Sequence, residues 1–551
     1  MSDGDRLPPE LRDRAFRWIA DDVDAETRAE LQEVLAAAMA GTPGAVADLE
    51  DRLSGSLAFG TAGLRGPVRA GSNGMNTAVV VRTTAGVASW LTRHGKTSQI
   101  VVIGHDARHG SERFAHAAAE VLFAAGFDAR LLPGPLPTPV LAFAVKHLDA
   151  AAGVQITASH NPPTDNGYKL YDESGAQIVP PADGEIESAI ADAPGAVAVP
   201  RTLGVPVLGD ELVDAYLARV AAVPRGTTRT LRVAATALHG VGADVLKRAL
   251  EGAGFTDVHL VAEQSEPDPD FPTVTFPNPE EPGATDLLLA LASEVDAELA
   301  IALDPDADRC ALGVRQQDRS WRMLRGDETG VLLGEYVLAT TDRENPLVAT
   351  TIVSSSMLGE IAAAHGARYA ETLTGFKWLT RAGKGLIYAY EEALGLCVNP
   401  DFVRDKDGIA AAVLACDFAA TLKESGRSPL DVLAKLSIRF GVHLTDQLSL
   451  RVTDLSVRAK LMDALRTTPP ARLAGVEVTT EDLLPETDAL RVTGNGLRVV
   501  IRPSGTEPKL KTYLQVSEPP SDALAQARAA AKKRLSALRA DVEALLTVPQ
   551  D

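Results

Sequence analysis

Residues 99–127 read "QIVVIGHDARHG" followed by "SERFAHAAAEVLFAAGF". A short apolar strand gives way to a polar loop and then to a helix-like stretch, with Gly126 where a left-handed helix cap is expected. The alternation continues through "ARLLPG", "TPVLAFAVKHL" and "AAGVQIT", residues 129–157. It resumes in "LRVAAT", "GADVLKRALEGAG", "VHLV", "ATDLLLALASEV" and "ELAIAL", between residues 231 and 303. A third run has the strand "LVATTIV", a helix from Met357, the strand "GLIYAY" and an Ala-rich helix after Gly408. Strands alternating with helices predict mainly parallel sheets in α/β layers.

The ends of the chain differ from this middle. Leu11, Ala15 and Trp18 share one helical face, as do Leu31, Val34, Leu35 and Ala38, so residues 9–40 read as two amphipathic helices. They form an N-terminal extension that either covers the first domain or makes a subunit contact. Near the other end, "LRVTGNGLRVVIRP" reads as two strands around a Gly-Asn-Gly turn, followed by "KLKTYLQV" and a terminal Ala/Arg/Lys-rich helix. That pattern predicts a separate α+β domain. The expected domains are 1–205, 206–323, 324–436 and 437–551, since single hydrophobic cores stop growing at about 250–300 residues.

Bulk properties narrow the function. With 45% hydrophobic and 23% charged residues the 551-residue chain has the composition of a globular protein. A formal net charge of −20 argues against nucleic-acid or anionic-membrane partners, which require a broad positive potential. An anionic small molecule would need local basic pockets. Cys310, Cys397 and Cys416 are too few for a disulfide framework and lack metal-ligand spacing. With no secretory pattern in "MSDGDRLPPE" and no apolar run of about 18 residues, a cytoplasmic protein is expected.

Three polar clusters follow strands directly: "TASHNP" (157–162), "DPDADR" (304–309) and "EEALG" (391–395). The carboxyl ends of strands are where ligands bind in α/β sheets. In "DPDADR" the alternating Asp304, Asp306 and Asp308 either form a solvated acidic turn or aim three carboxylates at one cation, without which they repel. A helix-loop-helix calcium site is excluded, because Arg309 and Arg315 stand where its glycine and glutamate are needed. Hard oxygen ligands suit Mg²⁺.

"IRPSGTEPKLK" (501–511) sets Arg502, Ser504, Gly505, Thr506 and Lys509 around a tight loop. That loop is either a plain hairpin connection or a phosphate grip of guanidinium, hydroxyls and backbone amides; P-loop spacing is absent. Glycine-flanked Arg65 in "FGTAGLRG" and Arg108 in "GHDARHGS" add cationic candidates. Ser159 fits a capping or turn hydroxyl, a hydrolase nucleophile, or a phosphoryl carrier. No Gly-x-Ser-x-Gly elbow supports the hydrolase, whereas a metal loop and phosphate grips favour phosphoryl transfer.

Taken together and in this order, "TASHNP", "DPDADR", "EEALG" and "RPSGTEPK" closely resemble the four signature loops of the phosphoglucomutase/phosphomannomutase family of phosphohexomutases. The match runs from Phe59 to Lys511 and is reinforced by "FGTAGLRG", "TALHGVG", "FPNPEEPGA" and "TGFKWL". Chain length resembles the long bacterial phospho-sugar mutase branch, which also holds phosphopentomutases and glucose-1,6-bisphosphate synthases. The resemblance implies three α/β domains with mixed sheets and a C-terminal α+β domain around a central cleft.

It also implies that Ser159 is phosphorylated and that Ser159, Asp304, Asp306 and Asp308 bind Mg²⁺. Arg502, Ser504, Gly505 and Thr506 would hold the non-reacting phosphate, and Lys377 and Glu391 the sugar. Lys169 and His160 become the acid/base candidates, with Arg65 and Arg309 stabilising the transferring phosphate.

The implied activity is an isomerase that interconverts hexose 1-phosphate and 6-phosphate through a phosphoserine enzyme and a hexose 1,6-bisphosphate, which also serves as activator. Sugar phosphates are its expected partners, and it is expected to be a monomer or homodimer. Family members usually carry Gly-Glu-x-Ser-Gly in the sugar loop, whereas Ala393 stands here in place of the serine. A phosphopentomutase, a glucose-1,6-bisphosphate synthase, a sugar-phosphate phosphatase and a silent sugar-phosphate binder are the alternatives.

Overall fold

The computed structural model describes residues 6–60, 63–451, 455–503 and 509–547. The chain forms two compact units: residues 1–323 with 395–417, and residues 324–394 with 418–551.

The first unit holds two five-stranded sheets. One contains β1 (Leu64–Pro67), β2 (Ile100–His105), β3 (Asp128–Pro135), β4 (Ala152–Ile156) and β5 (Asp165–Asp172), in the order β1-β5-β4-β2-β3. β2 runs parallel to β3 and β4, while β5 is antiparallel to β4 and β1. The other contains β6 (Arg232–Thr236), β7 (Asp257–Leu260), β8 (Leu299–Leu303), β9 (Cys310–Arg315) and β10 (Trp321–Met323), in the order β10-β9-β8-β6-β7. β6 is parallel to β7 and β8, and β9 antiparallel to β8 and β10. Both sheets are therefore mixed, as the family resemblance implies, with more antiparallel pairing than the strand–helix alternation alone predicts. Strand–helix alternation reports that connections are long, but a strand returning through a short loop must pair antiparallel.

The two sheets share one wiring. In each, a central strand (β4 or β8) leaves its carboxyl end through a polar loop and returns as an antiparallel neighbour (β5 or β9). The loops are 157–164 and 304–309, the stretches singled out in the sequence. Apolar helix faces cover the sheets: Phe114, Ala118, Val121 and Leu122 of Ser111–Ala124 join Val101, Ile103, Val154 and Ile156 in one core.

The N-terminal helices are Pro9–Asp21, Ala25–Met39 and Ala45–Arg52. Leu11, Ala15, Leu31, Leu35 and Leu49 form their own core with Ala70, and Trp18 packs against this core and the first sheet's core alike. Asp24 caps the second helix, accepts a hydrogen bond from Thr77 Oγ1 at 2.9 Å and pairs with Arg113 at 3.3 Å. Of the two expected roles, the extension thus covers the first α/β layer. Its third helix is additional to the two expected.

In the second unit, β11 (Leu347–Thr351) runs parallel to β12 (Arg368–Thr372) and β13 (Leu386–Glu391). A further six-stranded sheet is antiparallel throughout, from Val442–Arg451 to Lys509–Glu518, with the helix Leu524–Leu545 beside it. Leu490–Gly494 and Leu497–Pro503 make the expected hairpin. Arg498 joins the two layers, donating to Glu371 at 2.8 Å, to Gln515 at 2.9 Å and to the Ser354 carbonyl. Ile352 and Val353 meet Val500 and Tyr513 in a small apolar cluster. Among the described residues, no helix is long and apolar enough to cross a membrane.

Candidate active site

Ser159 lies in the turn that joins β4 to β5, with φ at +53°. A non-glycine residue there costs of order 1–3 kcal/mol and persists where its surroundings enforce it. Thr157 Oγ1 accepts the Ser159 backbone N–H at 2.9 Å. The next helix starts only at Ala182, so Ser159 is no helix cap. Antiparallel register sets Lys169 opposite Gln155, which brings the end of "NGYK" back beside the serine loop.

The two loops meet. Ser159 Oγ donates to Asp304 Oδ2 at 2.9 Å and lies 3.2 Å from His160 Nδ1. His160, adjacent in sequence, thus reaches Ser159. Asp304, Asp306 and Asp308 are fully buried, and one oxygen from each lies within 4.8 Å of the others. Ala307, between the last two, also has a left-handed φ of +53°, turning the loop so that its carboxylates converge.

Side chains from distant parts of the chain hold Asp306 and Asp308. Thr138 Oγ1 donates to Asp306 Oδ2 at 2.8 Å. Lys169 Nζ lies 2.6 Å from the same oxygen and 3.1 Å from Asp308 Oδ2. Lys406, on the segment that returns to this unit, meets Asp308 Oδ2 at 2.7 Å. Arg309 Nε stands 3.8 Å from both Asp304 Oδ2 and Asp308 Oδ1. Thr138 and Lys406 were not anticipated, although "LPTP" and "DKDG" are the stretches that carry them.

Burial would raise all three carboxyls. The ammonium groups of Lys169 and Lys406 overcome it and hold Asp306 and Asp308 below the usual carboxylate range. Asp304 has no such partner, and burial, followed by the charges of Asp306 and Asp308, pushes it well up. Asp306 Oδ1 and Asp308 Oδ1 are buried without a hydrogen-bond donor. Buried carboxylate oxygens left unpaired are costly, and a hard cation among three of them removes both the desolvation and the mutual repulsion. The residues present therefore fit a divalent cation such as Mg²⁺.

Two guanidinium groups stand near the serine loop. Arg65, at the start of the first sheet, donates from Nη1 to Asn161 Oδ1 at 3.5 Å. Burial, then the positive charges of Arg309 and Arg65, hold the His160 imidazole well below its ordinary pKa, so its ring is neutral near pH 7. Of the expected residues, Ser159, His160, Lys169, Arg65, Arg309 and the three aspartates thus cluster within one unit.

The second unit carries Lys377 on the short helix Phe376–Leu379, Glu391 at the end of β13 and Arg502 on the strand Leu497–Pro503. Ser504, Gly505 and Thr506 lie outside the described residues. Glu392 was not expected. Its Oε2 accepts hydrogen bonds from Ser354 Oγ at 2.9 Å and Thr351 Oγ1 at 3.2 Å. Burial, with Glu391 and Asp327 nearby, raises its carboxyl to about 7. Doubled acids in "EEALG" were the available signal.

Models of the four phosphoglucomutase/phosphomannomutase domains match consecutive parts of the chain: α/β/α domain I over residues 56–194, domain II over 213–317, domain III over 325–439 and the C-terminal domain over 451–533. A Haemophilus influenzae protein named "probable phosphomannomutase" is 44% identical over 82% of this chain and 95% of its own. The human phosphopentomutase is 33% identical over 90% of each chain. A solved phosphoglucomutase/phosphomannomutase family protein from Burkholderia thailandensis shares the fold at a TM-score of 0.68, with 22% identity over 89% of this chain and 97% of its own. With every domain of the set matched in order, the chain belongs to the phosphoglucomutase/phosphomannomutase family and is a mutase, an isomerase built from three mixed α/β layers and a C-terminal α+β domain.

Proposed function

We propose that the protein interconverts hexose 1-phosphate and hexose 6-phosphate, acting on glucose and mannose phosphates through a phosphoserine at Ser159 and a hexose 1,6-bisphosphate. The observation that carries this reading is the contact of Ser159 Oγ with Asp304, one of three clustered buried carboxylates, at 2.9 Å, with Arg309 3.8 Å from the same Asp304 oxygen. A serine in contact with a carboxylate cluster that would hold a divalent cation, and close to guanidinium groups, has the electrostatic setting phosphoryl transfer requires.

Ser159, Asp304, Asp306 and Asp308 would hold Mg²⁺, which when bound offsets negative charge on the transferring phosphoryl group. A sugar hydroxyl attacks the phosphorus of phospho-Ser159; the new O–P bond forms as the Oγ–P bond breaks, giving the bisphosphate. After that intermediate turns around, Ser159 Oγ attacks its other phosphate and the isomeric monophosphate leaves. His160 Nδ1, 3.2 Å from Oγ, is within reach of the serine proton in the second step. Lys169 is the candidate for the proton of the sugar hydroxyl, a step that requires it first to leave Asp306 and Asp308 and give up its own proton. Arg65 and Arg309 hold the transferring phosphoryl oxygens, Lys377 and Glu391 bind the sugar, and Arg502 with Ser504, Gly505 and Thr506 grips the phosphate that does not react.

Glucose 1-phosphate with Mg²⁺ and a trace of glucose 1,6-bisphosphate should yield glucose 6-phosphate. No conversion, with mannose 1-phosphate also inert, would refute the reading. Ala393 and the similarity to a phosphopentomutase support a second reading, in which ribose or deoxyribose 1-phosphate becomes the 5-phosphate. Loss of the serine hydroxyl relaxes one contact on which hexose recognition depends. Relative kcat/KM on glucose and ribose 1-phosphates decides between them.

A further inference from the structure

The loop that carries Ser159 is held from behind by one side chain. Arg108 Nη2 donates to the carbonyls of Ser159 and Asn161, each at 2.6 Å, and Nη1 donates to those of Pro162 at 2.8 Å and Asp165 at 3.1 Å. Four carbonyls spanning the turn thus converge on one planar guanidinium that is 4% exposed.

Arg108 is itself fixed. Its Nε lies 3.4 Å from Asp106 Oδ2, and the other Asp106 oxygen accepts the Arg108 backbone N–H at 3.0 Å and the Ser111 hydroxyl at 2.5 Å. The ring of Phe271 covers the guanidinium with 5.0 Å between its centroid and Cζ. Asn166, just past the serine loop, donates to the His109 carbonyl at 3.0 Å and to Ser111 Oγ at 2.9 Å.

We propose that Arg108 is the positioning residue of the phosphoryl-carrying serine. It maintains the left-handed turn at Ser159 and so aims Oγ between Asp304 and His160. This inference rests on the reading that Ser159 carries the phosphoryl group. Arg108 does not touch substrate in this role; its two terminal nitrogens are both directed to loop carbonyls. A backbone in a left-handed conformation at a non-glycine residue holds only where the surroundings over-determine it, and a charged fork spanning four acceptors does so. Lysine cannot replace it, because a single ammonium has neither the plane nor the reach of the fork. Phe271 comes from the irregular stretch that follows β7, in the same matched domain as the aspartates.

The test compares Arg108→Ala and Arg108→Lys with wild type, using glucose 1-phosphate, saturating Mg²⁺ and glucose 1,6-bisphosphate, with thermal denaturation as the folding control. We expect Arg108→Ala to lower kcat by about 100-fold and to change KM by less than about threefold, since misplacing a reacting group by roughly 1 Å costs that much in rate. Arg108→Lys should fall between the two. Added guanidinium ion at low millimolar concentration should restore about tenfold of the loss in Arg108→Ala and nothing in wild type, because it refills the vacated fork. If Arg108→Ala does not fold, Arg108→Lys and Phe271→Leu carry the same split between kcat and KM.

A folded variant with wild-type kcat, or a loss confined to KM, overturns the role given to Arg108. Peptide mapping of wild type separates the two claims. Turnover without phosphate on Ser159 overturns the underlying mechanism, whereas phospho-Ser159 beside a fully active Arg108→Ala overturns the clamp alone.

Discussion

Ser159 Oγ is both the donor to Asp304 and the atom that would bond phosphorus. Ser159→Ala is therefore expected to lower kcat by about 10⁴-fold or more, the scale seen when a nucleophile is deleted; steady-state rates with added bisphosphate measure it, and unchanged turnover would remove the serine from the mechanism. Asp308 Oδ2 receives two ammonium groups, from Lys169 at 3.1 Å and Lys406 at 2.7 Å. Asp308→Asn leaves both buried cations undercompensated, so in the absence of Mg²⁺ it should cost about 3–5 kcal/mol of local stability, read as lost hydrogen-exchange protection in β8 and β9. The aspartates were legible because three carboxylates on alternate residues have few other uses. Thr138 and Lys406 were not, because they meet Asp306 and Asp308 across 168 and 98 residues of chain, and no local pattern encodes such a meeting.

Loops and helix ends decide more than strand interiors. Gly408, which opens the helix Gly408–Glu424, packs so closely on the metal loop that a Cβ there would lie 2.5 Å from the Arg309 carbonyl and 2.8 Å from that of Ala307. Gly408→Ala should displace the loop and raise the Mg²⁺ concentration for half-maximal activity by about 10- to 100-fold, the range for supports of a metal site; a Mg²⁺ titration of initial rate measures this.

The turn after β13 has its own titration. Glu392 is raised to about 7 from an ordinary 4.5, so its protonated form fits the fold better than its charged form. The stabilisation is complete below about pH 4.5 and is lost as pH rises through about 7. Hydrogen exchange in β11 and β13 should speed up over that window, and Glu392→Gln should abolish the dependence. At this scale the sequence was readable where period and punctuation agree, as in Ile100–His105 and the Asn495–Gly496 turn. Strand direction was not readable, because nothing in the largely polar β5 or the apolar β9 says which way each pairs. The eight-residue helix Ala45–Arg52 is too short to build a period.

Across the whole molecule, a net charge of −20 repels the anionic substrates that Arg65, Arg309 and Lys169 would attract locally. Salt screens both fields, and the balance depends on distance: with a Debye length of about 10 Å at 0.1 M, the long-range repulsion fades before the short contacts do. Raising ionic strength from low values should first lower KM for glucose 1-phosphate and raise it only at high salt, as initial rates across a salt series will report. The number of α/β layers was legible from the repeated alternation. The return of residues 395–417 to the first unit was not, since nothing in their composition says which core they join.

That return has a consequence for synthesis on the ribosome. Residues 1–323 can emerge and begin to fold, but Lys406 and Gly408, which brace Asp308 and the carbonyls beside it, follow only as the chain approaches residue 417, about ninety residues later. At roughly 5–20 residues per second that is a wait of several seconds to about twenty. Throughout it the nascent aspartate loop carries its negative charges with one of its two lysines missing, so a free divalent ion in the surrounding solution has the opportunity to act as a folding aid.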